Sequence, residues 1–138
     1  MKQLLDAITK KIIGASITVH HQLGPGLLES TYHACHAFEL VAIGVAFERE
    51  KSLPVVYRGK TLDCGYRIDL LVENEVVVEV KAVERLEAVH GAQVPSYLRL
   101  SGRKVGLVIN FNVKGLVSQG VKRVVNGSRV ERSLRPPR

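Results

Sequence analysis

The chain of 138 residues has no tryptophan, three phenylalanines, four tyrosines, one methionine and two cysteines. So few aromatic side chains argue against a single-strand binder that stacks successive bases along an aromatic platform. Cys35 and Cys64, without an export signal, are expected to stay reduced. The longest apolar run, Leu40 to Phe47, has eight residues. A membrane helix needs ~20, so no membrane partner is expected. Asp6, Lys10 and Lys11 interrupt the N-terminal hydrophobic stretch, which leaves no signal-peptide core. These absences predict a soluble, cytoplasmic domain over residues 1–126, long enough to bury a core without staples.

What the chain does carry is positive charge: 20 Lys and Arg against 13 Asp and Glu, net +7. Arg129, Arg132, Arg135 and Arg138 stand with Glu131 and Pro136-Pro137 in a basic segment, 127–138, whose composition predicts a disordered tail. A basic body with a basic tail suits a nucleic-acid partner, because phosphate contacts by Lys and Arg dominate such binding. Modest positive charge also serves solubility alone. Charge does not choose between these.

Leu4, Leu5, Ile8, Ile12 and Ile13 recur at helical spacing, and Gly24-Pro25-Gly26 ends that helix, with His20-His21 at its close. A second helix is predicted from about Leu28 to Ile43, stopped by Gly44. Strands follow over Val45–Glu50 with Leu53–Tyr57, then Thr61–Val72 and Glu75–Val83. A third helix spans about Leu86 to Leu100, and Lys104–Phe111 reads as a strand apolar on both faces. Leu116–Val125 fits either a short helix or a helix and strand. The order predicts an α/β fold, one sheet covered by helices.

One stretch stands out for chemistry. Val76, Val78 and Val80 share one strand face, while Val77, Glu79 and Lys81 share the other. A valine run says that both faces are buried, yet two charges interrupt it. Buried charges cost several kcal/mol unless paired or bound to a metal ion. A three-residue turn at 73–75 sets Asp69 opposite Glu79, and directly opposed strand residues lie ~5 Å apart. Two carboxylates and a lysine converging in this way suit a divalent cation in phosphodiester hydrolysis. The plainer reading is a wet strand end where Glu79 and Lys81 pair with each other.

Gly26-Leu-Leu-Glu29-Ser-Thr-Tyr32, the Asp69…Glu79-x-Lys81 set and Gln93-x-x-x-Tyr97 occur in that order. Together with Leu98-Arg-Leu and Ile109-Asn-Phe, they closely resemble the GxxExxY proteins of the PD-(D/E)XK nuclease superfamily. The resemblance runs from about Ile12 to Asn126. It implies a restriction-endonuclease-like αβββαβ core, a mixed sheet flanked by helices, and a nuclease using Mg²⁺ or Mn²⁺. Position by position, Asp69 and Glu79 match the metal-binding acids, and Lys81 the signature lysine. The Val80 carbonyl would be a further ligand, and Glu29 the helical acid completing the set. Gln93 and Tyr97 match a pair bordering the site, with Gln93 in a catalytic role and Tyr97 against substrate. Gly26 suits a helix entry, and Tyr32 is placed to hold the Glu29 carboxylate.

Two departures accompany the resemblance. Pro95 falls between Gln93 and Tyr97, so either the helix begins just before Pro95 or Gln93 is displaced. Ile68 stands where the superfamily has its proline. His90, Arg67 and Arg85 are candidate substrate contacts, and Arg99 and Lys104 further backbone contacts. His33 and His36, one turn apart beside Cys35, offer a thin case for zinc, and with Glu29 facing the site either could instead touch substrate phosphate. There is neither a phosphate-cradling glycine loop nor a discernible nucleophile triad. The second function class is a nuclease-fold module without catalysis that binds nucleic acid or protein. The intact Asp-Glu-Lys set favours the enzyme, because a polyanion binder gains nothing from converging carboxylates.

Overall fold

The computed structural model describes residues 1–127. The predicted basic tail lies, beyond Gly127, outside the described residues. Helix α1, Lys2–Leu23, buries Leu5, Ile8, Ile12, Ala15 and Val19, the face its spacing predicts, while Leu4 turns outward. Its last turn holds His20 and His21, and His20 Nε2 lies 2.6 Å from the Val113 carbonyl. Helix α2, Glu29–Ala42, buries Tyr32, His33, His36, Ala37 and Leu40. Among the described residues no helix is long and apolar enough to cross a membrane.

Among the described residues seven strands follow: β1 Phe47–Ser52, β2 Val55–Tyr57, β3 Lys60–Leu62, β4 Arg67–Val72, β5 Val76–Lys81, β6 Val105–Asn110 and β7 Val121–Val125. Helix α3, Ala88–Ser101, joins β5 to β6. The main sheet has the order β1-β4-β5-β6-β7, with β5 and β6 parallel and the other pairs antiparallel. The α/β fold, one sheet covered by helices, follows the element order, and its mixed, restriction-endonuclease-like sheet is the one the family resemblance implied. One difference has a local cause. The strand expected over Thr61–Val72 breaks at residues 63–66, where Asp63 Oδ1 accepts the Gly65 N–H at 2.9 Å in an Asx turn. Its first part pairs with β2 as a separate hairpin turned at Arg58-Gly59. The ambiguous C-terminal stretch resolves into a π-helical turn, Leu116–Gly120, followed by β7.

Helices cover both sheet faces. On one, α1 and α2 pack on Leu70, Val72, Val76, Val78, Val80, Val105, Leu107 and Ile109. On the other, Val94, Tyr97 and Leu98 of α3 pack on Ile68, Leu71, Val77 and Val108. Strand β6 is buried throughout, which explains its apolar character on both faces. Gly106 lets α3 approach: a Cβ there would sit 2.5 Å from Val94 Cγ1 and 3.2 Å from the Val77 carbonyl oxygen. Val94 is β-branched and stiff in a helix, so it has no easy retreat. Gly106→Ala is therefore expected to destabilise the protein by about 1–3 kcal/mol. A urea midpoint equal to wild type would show that α3 shifts freely.

Candidate active site

The site grows from the place where a strand ladder stops. Pairing of β4 with β5 runs through Val72↔Val76, Leu71↔Val77 and Leu70↔Val78. At the next position, side chains replace the ladder. The Asp69 N–H donates to Glu79 Oε2 at 3.0 Å, and the Val80 N–H donates to Asp69 Oδ2 at 2.8 Å. Each carboxyl is thus held by an amide of the opposing strand. The alternation of β4 slips here as well: Ile68 joins the α3-side core with Leu71, while Leu70 and Val72 face α1 and α2. Across from Asp69, the β1 residue Glu50 has a left-handed φ of 53°. Strain of this kind gathers where a strand turns a side chain toward a site.

The electrostatics follow from burial. Glu79 is 2% exposed. Burial first, then the Asp69 charge, push its carboxyl pKa up to about 8. Asp69 is also raised, chiefly by burial, against the lowering effect of the Val80 N–H. Two carboxyls so close cannot both ionise cheaply, so the pair retains a proton near neutrality. The Lys81 ammonium lies 4.0 Å from Glu79 Oε1, too long for a hydrogen bond. A closed Glu79–Lys81 pair does not neutralise the site.

Glu29 occupies the first turn of α2, exposed to solvent, and its charge contributes to the raised Glu79 pKa. As the side chains stand, no group of three or more His, Cys, Asp and Glu among the described residues could hold an ion. The expected three-acid set with Glu29 is therefore not assembled. What fits a hard cation is the smaller oxygen set of Asp69, Glu79 and the Val80 carbonyl. In an extended strand a residue's N–H and C=O point the same way, so this carbonyl shares the flank on which the Val80 N–H meets Asp69. Burial of two repelling acids is the cost that a bound cation would relieve.

Tyr32 does not hold Glu29. Its hydroxyl donates to the Gly24 carbonyl at 2.5 Å and accepts the Leu27 N–H at 3.1 Å, and its ring stacks on Phe111 at 4.8 Å. The Gly-x-x-Glu-x-x-Tyr segment is thus a turn lock. Gly26 takes a φ of 103° that favours glycine, and Tyr32 ties the turn to the helix that presents Glu29. The zinc alternative fails on direction. His33 Nε2 lies 3.1 Å from the Asp69 carbonyl, whereas His36 Nε2 lies 3.1 Å from that of Ile12. Burial pushes the His36 pKa down to about 4.

One residue escaped the sequence analysis, Glu50; His33, weighed there for zinc or for substrate phosphate, meets it beside Asp69. His33 Nδ1 stands 3.5 Å from Glu50 Oε2, and the Glu50 carboxylate helps to raise the Asp69 pKa. No local pattern marks Glu50, because its meeting with His33 joins a strand and a helix distant in the chain.

A cleft of about 680 Å³ opens beside Lys81, lined among others by Tyr66, His90, Gln93, Tyr97 and Arg99. Gln93 Nε2 donates to the Tyr97 hydroxyl at 3.0 Å. Neither reading of Pro95 describes α3, which begins at Ala88 and continues through the proline. The donor that Pro95 lacks falls one turn back, on the Gly91 carbonyl. Gln93 and Tyr97 keep their i,i+4 relation. His90 Nδ1 accepts the Glu87 N–H at 2.8 Å in a capping box, so His90 anchors the helix as well as lining the cleft.

The arginines are dispersed. Arg67 donates to the Tyr66 carbonyl at 2.9 Å and lies 3.6 Å from Asp63. Arg85 is exposed between β5 and α3. Arg99 donates to Ser96 Oγ at 3.2 Å on the cleft rim. Lys104 precedes Val105, which pairs with Val76, at the sheet end away from Lys81. Strand geometry therefore removes it from this site.

A mixed five-stranded sheet between helices, with two acids and a lysine where adjacent strands part, defines a restriction-endonuclease-like protein. A family model of the PD-(D/E)XK nuclease superfamily matches residues 6–124, and the chain belongs to that superfamily. No curated protein and no solved structure matches the chain.

Proposed function

We propose that this protein is a nuclease that hydrolyses phosphodiester bonds in nucleic acid with Mg²⁺ or Mn²⁺. The observation that carries the reading is the buried Asp69–Glu79 pair with Lys81 beside it. Asp69, Glu79 and the Val80 carbonyl would hold the ion, which when bound supplies Lewis-acid polarisation of a phosphate and activation of water. Lys81 sets a positive charge where negative charge develops on phosphorus. Gln93 is fixed by Tyr97 and orients groups entering from the cleft. Tyr97, His90, Arg99, Arg67 and Arg85 are proposed to meet the polymer, His90 and Arg99 from the cleft wall. Within the superfamily, the Gly26–Tyr32 turn lock supports placement with the GxxExxY proteins.

The test is a cleavage assay on supercoiled plasmid, linear duplex, single-stranded DNA and structured RNA, with Mg²⁺, Mn²⁺ or EDTA. Cutting is expected only with metal. Lys81→Met should lower its rate by about 10²–10³-fold, in the range seen when one electrostatic donor is removed. Metal binding by calorimetry should survive in that variant. Cutting that persists in EDTA or at full rate in Lys81→Met would overturn the site. No cutting, with no Mn²⁺ bound, would favour the non-catalytic module.

A further inference from the structure

The cleft beside Lys81 has a chemistry that the acid pair does not require. Its walls include Val55, Val89 and Leu100, and Tyr66 and Tyr97 also line it. These two of the chain's four tyrosines meet edge to face, with centroids 6.1 Å apart at 63°. Tyr97 is nearly buried, but Tyr66 is 46% exposed, an aromatic ring left open to solvent. Scarcity of aromatic residues in the chain is therefore not scarcity at this place. Polar groups are few and directional. The Gln93 amide gives one N–H to Tyr97, which leaves its carbonyl as an acceptor and a second N–H as a donor. The exposed Arg99 guanidinium is tied to Ser96 through one nitrogen, leaving its other donors to solvent.

We propose that this cleft receives one unpaired nucleobase, so that the substrate is single-stranded or locally unpaired nucleic acid. The proposal rests on the nuclease reading and deepens it. A cleft of about 680 Å³ has the size of a small-ligand pocket and admits a nucleotide but not a duplex. A base held inside a duplex is stacked on both faces and must leave the stack to enter. Once there, it stacks on Tyr66 and offers its edge to Gln93, while Arg99 takes a phosphate at the rim. Lys81 joins the cleft to the acids, since it lines the cleft and lies 4.0 Å from Glu79. A base in the cleft thus brings a neighbouring phosphate toward the pair.

The experiment uses the full chain in EDTA, so that no cutting is needed. Three oligonucleotides carry 2-aminopurine: a single strand, a blunt duplex, and a duplex with the analogue as a one-base bulge. Binding is expected to quench the single strand and the bulge but not the blunt duplex. Tyr66→Ala, whose ring is half exposed, should fold as wild type by circular dichroism and bind the single strand five- to tenfold more weakly, without the quench. Tyr66→Phe should retain both. Equal affinity for single strand and blunt duplex, unchanged affinity in Tyr66→Ala, or no binding at all overturns the proposal. Full-rate cutting of blunt duplex by Tyr66→Ala with Mg²⁺ would overturn the cleft and leave the nuclease standing. A quench of the expected kind by a protein that cuts nothing with Mg²⁺ or Mn²⁺ would leave the cleft and overturn the nuclease.

Discussion

Glu79→Gln is expected to abolish metal-dependent cutting and, in the same molecule without metal, to raise the melting temperature at pH 8. The two effects share a cause. Burial and the Asp69 charge lift the Glu79 pKa from 4.5 to about 8 in the folded protein. Between those values the folded state binds a proton that the unfolded state has released, so stability falls as pH rises. The protein is free of this penalty below the unfolded pKa and bears all of it above the folded one. The slope is at most ~1.4 kcal/mol per pH unit for one group. Asp69, also raised, acts in the same direction.

Glutamine is neutral at every pH and keeps an oxygen for the Asp69 N–H. The variant should therefore melt roughly 5–10 °C above wild type at pH 8 and with a flatter profile. At pH 4.5 the two should nearly coincide. Calorimetric scans in EDTA from pH 4.5 to 8.5 read this directly. A wild-type melting temperature that is level or rising across that window would contradict the buried pair. Adding Mn²⁺ at pH 8 should raise the wild-type melting temperature and leave the variant unmoved, since the proposed ion site needs both carboxylates.

The second large effect concerns folding rather than chemistry. Tyr32 is fully buried, stacked on Phe111, with both hydrogen bonds of its hydroxyl made to the turn between α1 and α2. Tyr32→Ala removes the ring and leaves a cavity against the sheet, at a cost of about 3–5 kcal/mol. Against a total stability of ~5–15 kcal/mol, that is a large share. Tyr32→Phe separates the two contributions. It keeps the ring but leaves the Gly24 carbonyl and the Leu27 N–H without their partner, for about 1–3 kcal/mol. Urea denaturation should rank wild type above the phenylalanine variant and that above the alanine variant. A phenylalanine variant as stable as wild type would show that the turn holds without the hydroxyl.

Much of the fold is legible from periodicity. The apolar stripe of α1, the buried run of β6 and the valine alternation of β5 each follow from one element burying one or two faces. Less legible are features where a side chain competes with the backbone. The Asx turn at Asp63 ends a strand that its composition would continue. Pro95 sits inside a helix because packing of Val94, Tyr97 and Leu98 outweighs one missing hydrogen bond. His33 and Glu50 carry no pattern that marks them, because their meeting depends on a strand and a helix distant in the chain.

The sequence by itself determined that Asp69, Glu79 and Lys81 lie on adjoining strands, because strand periodicity and a short turn bring them together in either reading of the motif. Only the tertiary structure decided how they are held. Their ladder opens into reciprocal side-chain bonds, Glu29 stays at the solvent edge, and Tyr66 from one sheet flank meets Tyr97 from α3. Local spacing reaches a few residues along the chain, whereas hydrogen-bond competition and burial are settled by whatever the fold packs opposite.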